Sequence, residues 1–234
     1  MSAGADPSTT LPPPDPVNSS GQRALAVQIL TTEHFTLQSA RAAATMESSS
    51  RSALFLTVLS AALVALALAA QVASMGEVLL LALLALGVVF FLGLVTYLRV
   101  LENGIEDYLY VKEMNRIRHF YLEVAPETEP YFVLSHFDDP EGVHRSMGME
   151  ARRWEGLLTS AGAVSVVNSV VGGVFAALAV QVFTRPARTI PVATGVVFAT
   201  VIALGFLRHE ATRWRRAEEM APARFARSRE EPDA

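Results

Sequence analysis

The sequence predicts an all-α, polytopic membrane protein: four transmembrane helices in two hairpins, with long cytoplasmic helical extensions. Three observations carry this expectation. Four apolar runs, at 52–73, 78–100, 157–183 and 190–207, hold no Lys, Asp or Glu, and Arg99 near the end of the second is their only charge. Each run is long enough to cross a hydrocarbon core of about 30 Å, which takes roughly 20 apolar residues at the helical rise. None shows the polar stripe that a helix of a soluble bundle turns toward water.

The stretch 1–21 is rich in Pro, Ser, Thr and Asp, including Pro12-Pro13-Pro14. It lacks the basic and apolar regions of a secretory signal, so it reads as a disordered tail, and the first span serves as its own insertion signal. Residues 22–51 contain no proline and place Leu30, Leu37 and Ala44 on one side, with Glu47 and Arg51 at i,i+4. They predict one long cytoplasmic helix continuing into the first hairpin, 52–100. Beyond it, in the segment 101–156, Leu101, Ile105, Tyr108, Val111, Met114, Ile117, Tyr121 and Val124 recur at steps of three and four. That stripe needs a partner helix, and the N-terminal helix is the natural one. Ala125-Pro126 and Glu129-Pro130 end the helix. The second hairpin is 157–207 and the basic tail 208–234.

Arginine placement gives the orientation, because cationic flanks stay on the cytoplasmic side during insertion. The first connection, 74–77, has none. Arg41 and Arg51 precede the first span; Lys112, Arg116, Arg118, Arg145, Arg152 and Arg153 lie in the middle segment; further arginines fill the tail, against Arg185 and Arg188 in the last connection. Both termini and the middle segment are therefore expected in the cytoplasm, with the spans in the plasma (inner) membrane. Tyr97, Trp154 and Trp214 fall at the expected cytoplasmic ends of spans, where amphipathic rings sit at headgroup level.

Small residues recur every fourth position in three spans: Ala161, Ser165, Ser169, Gly173 and Ala177; Gly195, Ala199 and Ala203; Ala61, Ala65 and Ala69. Such faces let helices approach closely, within one chain or between copies of a homo-oligomer. Asn168, one residue from the first of these faces, has two readings: an interhelical hydrogen bond to a Ser or a carbonyl, or a polar ring lining a pore.

Lys112, Arg116 and His119 share a helical face beside the apolar stripe, with Asn115 and Arg118 alongside. That face reads either as a solvated basic surface or as a site for an anion such as a nucleotide or a phospholipid head. Arg213, Arg215 and Arg216 suit anionic lipid, each basic residue near such a leaflet contributing about 1 kcal/mol. The net charge of −4 identifies no partner, and no nucleic acid is expected.

His136, Asp138, Asp139, Glu141 and His144 cluster as in a cation site, yet Asp139-Pro140 equally reads as a helix start, and no metal is expected. The absence of cysteine excludes disulfides and thiolate chemistry. No cofactor, no catalytic residue and no enzymatic activity is indicated, since phosphate-loop, nucleophile-elbow and zinc-helix patterns are missing.

The run Met114-Asn115-Arg116-Ile117-Arg118-His119-Phe120-Tyr121, together with Thr32-Glu33-His34, 47–60, Pro126-Glu127, Pro130-Tyr131-Phe132 and Asp138-Asp139, resembles small, uncharacterised four-span integral membrane proteins of actinobacteria. The resemblance covers about 22–207 and implies a bacterial membrane protein without supplying an activity. Lys112 as the sole lysine, amid abundant Ala and Arg, fits a GC-rich bacterial genome. The plan of long helix, two closely linked spans and long helix is similar to that of the SLATT group of bacterial two-span effectors. That likeness implies an oligomeric, membrane-disrupting effector gated by a cytoplasmic ligand; the second pair of spans departs from it. The leading expectation is a non-enzymatic scaffold or accessory protein acting through its cytoplasmic helices.

Overall fold

The computed structural model describes residues 16–148, 159–184, 187 and 189–227, with side chains from residue 20 onward. The Pro12–Pro14 run, Arg152, Arg153, Trp154, Arg185, Arg188 and Arg229 lie outside the described residues. Those described form helices and connecting turns, with no strand: α1 (Pro16–Val72), α2 (Met75–Val124), a 3-10 turn (Pro126–Tyr131), α3 (Pro140–Ser146), α4 (Ser160–Thr184) and α5 (Thr189–Met220). Four of these helices, α1, α2, α4 and α5, are long and apolar enough to cross a membrane.

α1 is one uninterrupted helix of 57 residues, about 85 Å at 1.5 Å per residue, far more than a bilayer core requires. It begins at Pro16, inside the stretch expected to be disordered, because proline is tolerated in a first helical turn. α2 begins three residues before the expected span, where Ser74 closes a capping box. The Glu77 carboxylate accepts from the Ser74 N–H at 2.8 Å, and Ser74 Oγ accepts from the Glu77 N–H at 3.4 Å.

The contact between α1 and α2 runs along a seam of three- and four-residue steps that passes without a break from the apolar run into the extension. On α1 it includes Leu37, Ala44, Ser48 and Phe55, all buried, and continues through the half-buried Leu59 and Ala62. On α2 the stripe beyond the apolar run is buried from Leu101 to Ile117; Met114 and Ile117 pack on Leu37 of α1, while Tyr108 and Val111 pack on Val143 of α3 and on Trp214 of α5. Arg41 reaches Asp107 at 2.7 Å across the same seam. Tyr121 is half-buried and Val124 exposed, because the seam ends there.

α4 lies between α2 and α5. Its expected small-residue face is used inside the chain: Ala161, Ser165, Ser169 and Gly173 are all buried. At the crossing with α5, a Cβ on Gly173 would stand 2.6 Å from the Gly195 carbonyl oxygen and 2.7 Å from the Ala199 Cβ, while one on Gly195 would meet the Gly173 oxygen at 2.9 Å. Backbone therefore touches backbone, the small-residue packing that serves helices in lipid. Ala61 and Ala65 of α1 take no part in such a crossing and are exposed, since α1 turns Phe55, Leu59 and Ala62 toward α2 instead.

Large apolar side chains stand exposed around the spans, among them Leu54, Val64 and Leu68 of α1, Leu84, Val88 and Phe91 of α2, and Val196, Val201 and Leu204 of α5. A belt of that extent is untenable in water and fits a multi-pass protein in contact with acyl chains.

Gly173→Leu is expected to force α4 and α5 apart and to lower the melting temperature in detergent, at an overpacking cost of about 1–3 kcal/mol. Gly205→Ala, at a position where a Cβ meets nothing within 4 Å, should leave the melting temperature unchanged or raise it.

Candidate functional site

Polar chemistry concentrates where the far half of α2 meets the loop at 132–139, α3 and the segment after α5. Asn115 is fully buried and satisfied on both amide atoms. Its Nδ2 donates to the Phe137 carbonyl at 2.7 Å, and its Oδ1 accepts from Arg118 and from the Ser146 hydroxyl at 3.0 Å. One side chain thus joins three elements, and only a donor–acceptor amide can do so. Arg118, 7% exposed, is held by this contact with its charge desolvated.

Asp138, also without exposure, is the second hub. Arg116 Nε donates to its Oδ2 at 2.6 Å. Its Oδ1 accepts from the backbone N–H of Phe225 at 2.7 Å and of Arg224 at 2.9 Å, and its own N–H donates to the Phe225 carbonyl at 3.1 Å. Next to it Asp139 caps α3 by accepting from the Gly142 N–H at 2.7 Å, and its other oxygen accepts from the Arg227 N–H at 3.0 Å. The paired carboxylates therefore clasp residues 222–227 against α2. His119 completes the clasp, its ring stacked on Phe225 with centroids 4.1 Å apart.

The basic trio expected from the sequence is consequently engaged inside the chain. Arg116 holds Asp138 and donates to the Pro222 carbonyl at 2.7 Å; His119 lies under Phe225; Lys112 is 3% exposed, its ammonium 5.9 Å from the Tyr108 ring centroid. Burial pulls the Lys112 ammonium below its usual range, and the nearby Asp138 charge offsets part of that. Burial also pushes the Tyr108 hydroxyl up to about 12, with Glu218, Asp139 and Asp138 adding to the effect. For Asp138 burial works upward, yet the Arg224 and Phe225 N–H groups and the Arg116 guanidinium together outweigh it, and the carboxyl lies below its ordinary value. Among the described residues no group of three or more His, Cys, Asp or Glu side chains is arranged to hold a metal ion.

Asn168 occupies a different place, at the middle of the apolar bundle. It is fully buried, and neither amide atom has a hydrogen-bond partner among the described residues. The expected interhelical bond is not formed, because Ser165 and Ser169 donate to their own helix, at the Gly162 and Ser165 carbonyls. The amide lies directly over Gly93 of α2, where any Cβ would collide with it and would stand 2.8 Å from the Phe55 ring of α1. It thus sits in a three-helix junction inside the chain. Arg215 and Arg216 are exposed and Arg213 half-buried, about two turns beyond the apolar part of α5.

No protein-family model, no curated protein and no solved structure matches the chain.

The Asp138 hub and Phe225 had no local signature: their partners lie 86 and 87 residues apart in the chain. Asp138→Asn is expected to cost about 3 kcal/mol, near the low end for breaking a buried pair because Arg116 is partly exposed. Its readout is trypsin cleavage at Arg224 and Arg227, which should become faster. The carboxyl is depressed in the native state, so its stabilisation is present above the unfolded pKa and is lost as pH falls through the native one. Protection of the 224–227 amides, taken relative to the intrinsic exchange rate at each pH, should therefore fall on acidification in the wild type and be already low at neutral pH in the variant.

At the other hub, Gly93→Ala should lower the melting temperature and Gly93→Ala/Asn168→Ala should recover part of the loss, a coupling read by the double-mutant cycle.

Proposed function

We propose that this chain is a non-enzymatic scaffold or accessory protein of a bacterial plasma (inner) membrane, inserted as two hairpins with both termini and the segment 101–156 in the cytoplasm. The observation that carries the reading is the union of three chain segments beyond the apolar runs. The N-terminal half of α1 packs on the far half of α2 through Leu37, Met114 and Ile117, and residues 222–227 are clasped by Asp138 and Asp139. Segments in mutual contact share one side of a bilayer, and the arginine distribution supports the cytoplasm as that side. The result is a stiff body fixed to the membrane by continuous helices, suited to holding a partner at a set distance. Tyr131 and Val133, 83% and 93% exposed in the turn at its far end, offer an apolar surface for such a protein. Arg215 and Arg216, exposed on α5 beyond its apolar part, suit contact with anionic headgroups.

Reporter fusions after Pro130 and at the C-terminus are expected to be active only as cytoplasmic reporters. Induced expression should leave a membrane-potential dye unchanged. Depolarisation that Asn168→Ala abolishes would replace the scaffold with a pore-forming effector.

A further inference from the structure

Among the described residues, α4 and α5 meet through small residues at Gly173, Gly195 and Ala199, whereas α1 leaves a whole face uncovered. Opposite the seam to α2, residues from Gln28 to Ala53 succeed one another at alternating steps of four and three, through Phe35, Ser39, Ala42 and Met46, and all of them are exposed. Phe35 is 64% and Met46 73% exposed, outside the apolar run. A further step of four carries the same stripe into the span at Thr57, and from there it reaches Ser60 and Gln71. These three are the polar side chains of the span beyond its first residue, Ser52, and each points away from α2. Polar and small side chains of a membrane helix normally meet protein and leave lipid to Leu and Val. Two independent features, exposed apolar residues in the extension and outward polar residues in the span, thus mark one continuous stripe for a helix partner.

The placement of charge favours a second copy of this chain as the partner. Arg23, Glu33, Arg41, Glu47 and Arg51 are the charged residues of α1 from Ser20 onward, and each lies three, four or seven residues from a residue of the α2 seam. The stripe itself carries none. Two copies inserted in one membrane have the same orientation, so their α1 helices run parallel and a two-fold axis brings each residue against its own twin. Any charge there would face a like charge, which such an interface excludes. We propose that this stripe is the seam of a parallel homodimer, in which α1 pairs with α1 of a second copy from the extension into the bilayer, with Phe35 and Met46 as its large contacts and Ser39 and Ala42 allowing close approach. The proposal deepens the scaffold reading by naming how copies join, and it stands or falls separately from the absence of pore activity.

The chain contains no cysteine, so single cysteines report directly. Full-length variants Phe35→Cys, Ser39→Cys, Ala42→Cys and Met46→Cys, oxidised in native membranes, should each give a disulfide dimer on non-reducing gels. Glu33→Cys and Thr45→Cys, on other faces, should stay monomeric. Adding Ala42→Glu to Ser39→Cys should abolish the dimer band while leaving the melting temperature unchanged, since Ala42 is exposed. Equal cross-linking at all six positions, no cross-linking at the stripe, or an adduct of another mass would overturn the proposal. A dimer in cells whose membrane potential collapses would keep the seam and remove the scaffold.

Discussion

The constraint on which the rest depends is the continuity of α2. Within a bilayer every backbone N–H and C=O must be bonded internally, so the run at 78–100 has no alternative to helix. The segment beyond residue 100 has a choice, and nothing there interrupts: no proline occurs between Met75 and Val124, and the first break comes at Pro126. The helix therefore leaves the apolar zone as a rigid rod. α1 accompanies it across the same boundary, so their contact continues from the apolar runs into the extensions. Tyr97 marks the boundary, its hydroxyl donating to the Phe206 carbonyl of α5 at 3.1 Å. It ties α5 to α2 near the ends of their apolar runs.

Two buried asparagines show how differently polar groups are handled on either side of that boundary. Asn115 uses donor and acceptor together and has Arg118 and Ser146 as neighbours, so its burial specifies a geometry. Asn168 lies over Gly93 without a hydrogen bond among the described residues, and the serines nearby bond to their own helix. A buried amide left without a partner is costly, more so in hydrocarbon. Its place is set by shape, with Gly93 supplying the hollow in α2. The first asparagine orders an assembly through bonds and the second through volume.

Much of the fold was legible in the sequence, because the features that determine it are periodic. The apolar runs, the stripe from Leu101 to Ile117 and the small-residue face of α4 all express helical spacing, and Asp139-Pro140 is a local helix start. The Ser74–Glu77 capping box was equally open to reading and moves the start of α2 forward. The clasp was not. Asp138 bonds to the backbone of Arg224 and Phe225, and a backbone N–H carries no sequence signature. For the same reason Lys112, Arg116 and His119 read as an open basic face: spacing places them together and is silent about the segment that covers them.

The clasp and the α1 stripe bear on one another through α2. Residues 222–227 occupy the polar side of the far half of α2, α1 packs on its Met114 and Ile117, and α3 with Trp214 packs on its Tyr108 and Val111, so that half of α2 is covered from several directions. The unspent surface is displaced outward, onto α1. A helix whose charges all lie on or beside one seam is free to offer its opposite face to an identical neighbour, and Arg41 with Asp107, Arg99 with Glu47, illustrate how those charges are held near the α2 side. The Arg99 contact, at 3.9 Å, is loose and exposed and adds little stability. Its consequence is positional: with Glu47 turned toward α2, the stripe through Met46 remains neutral just before the apolar run at 52–73.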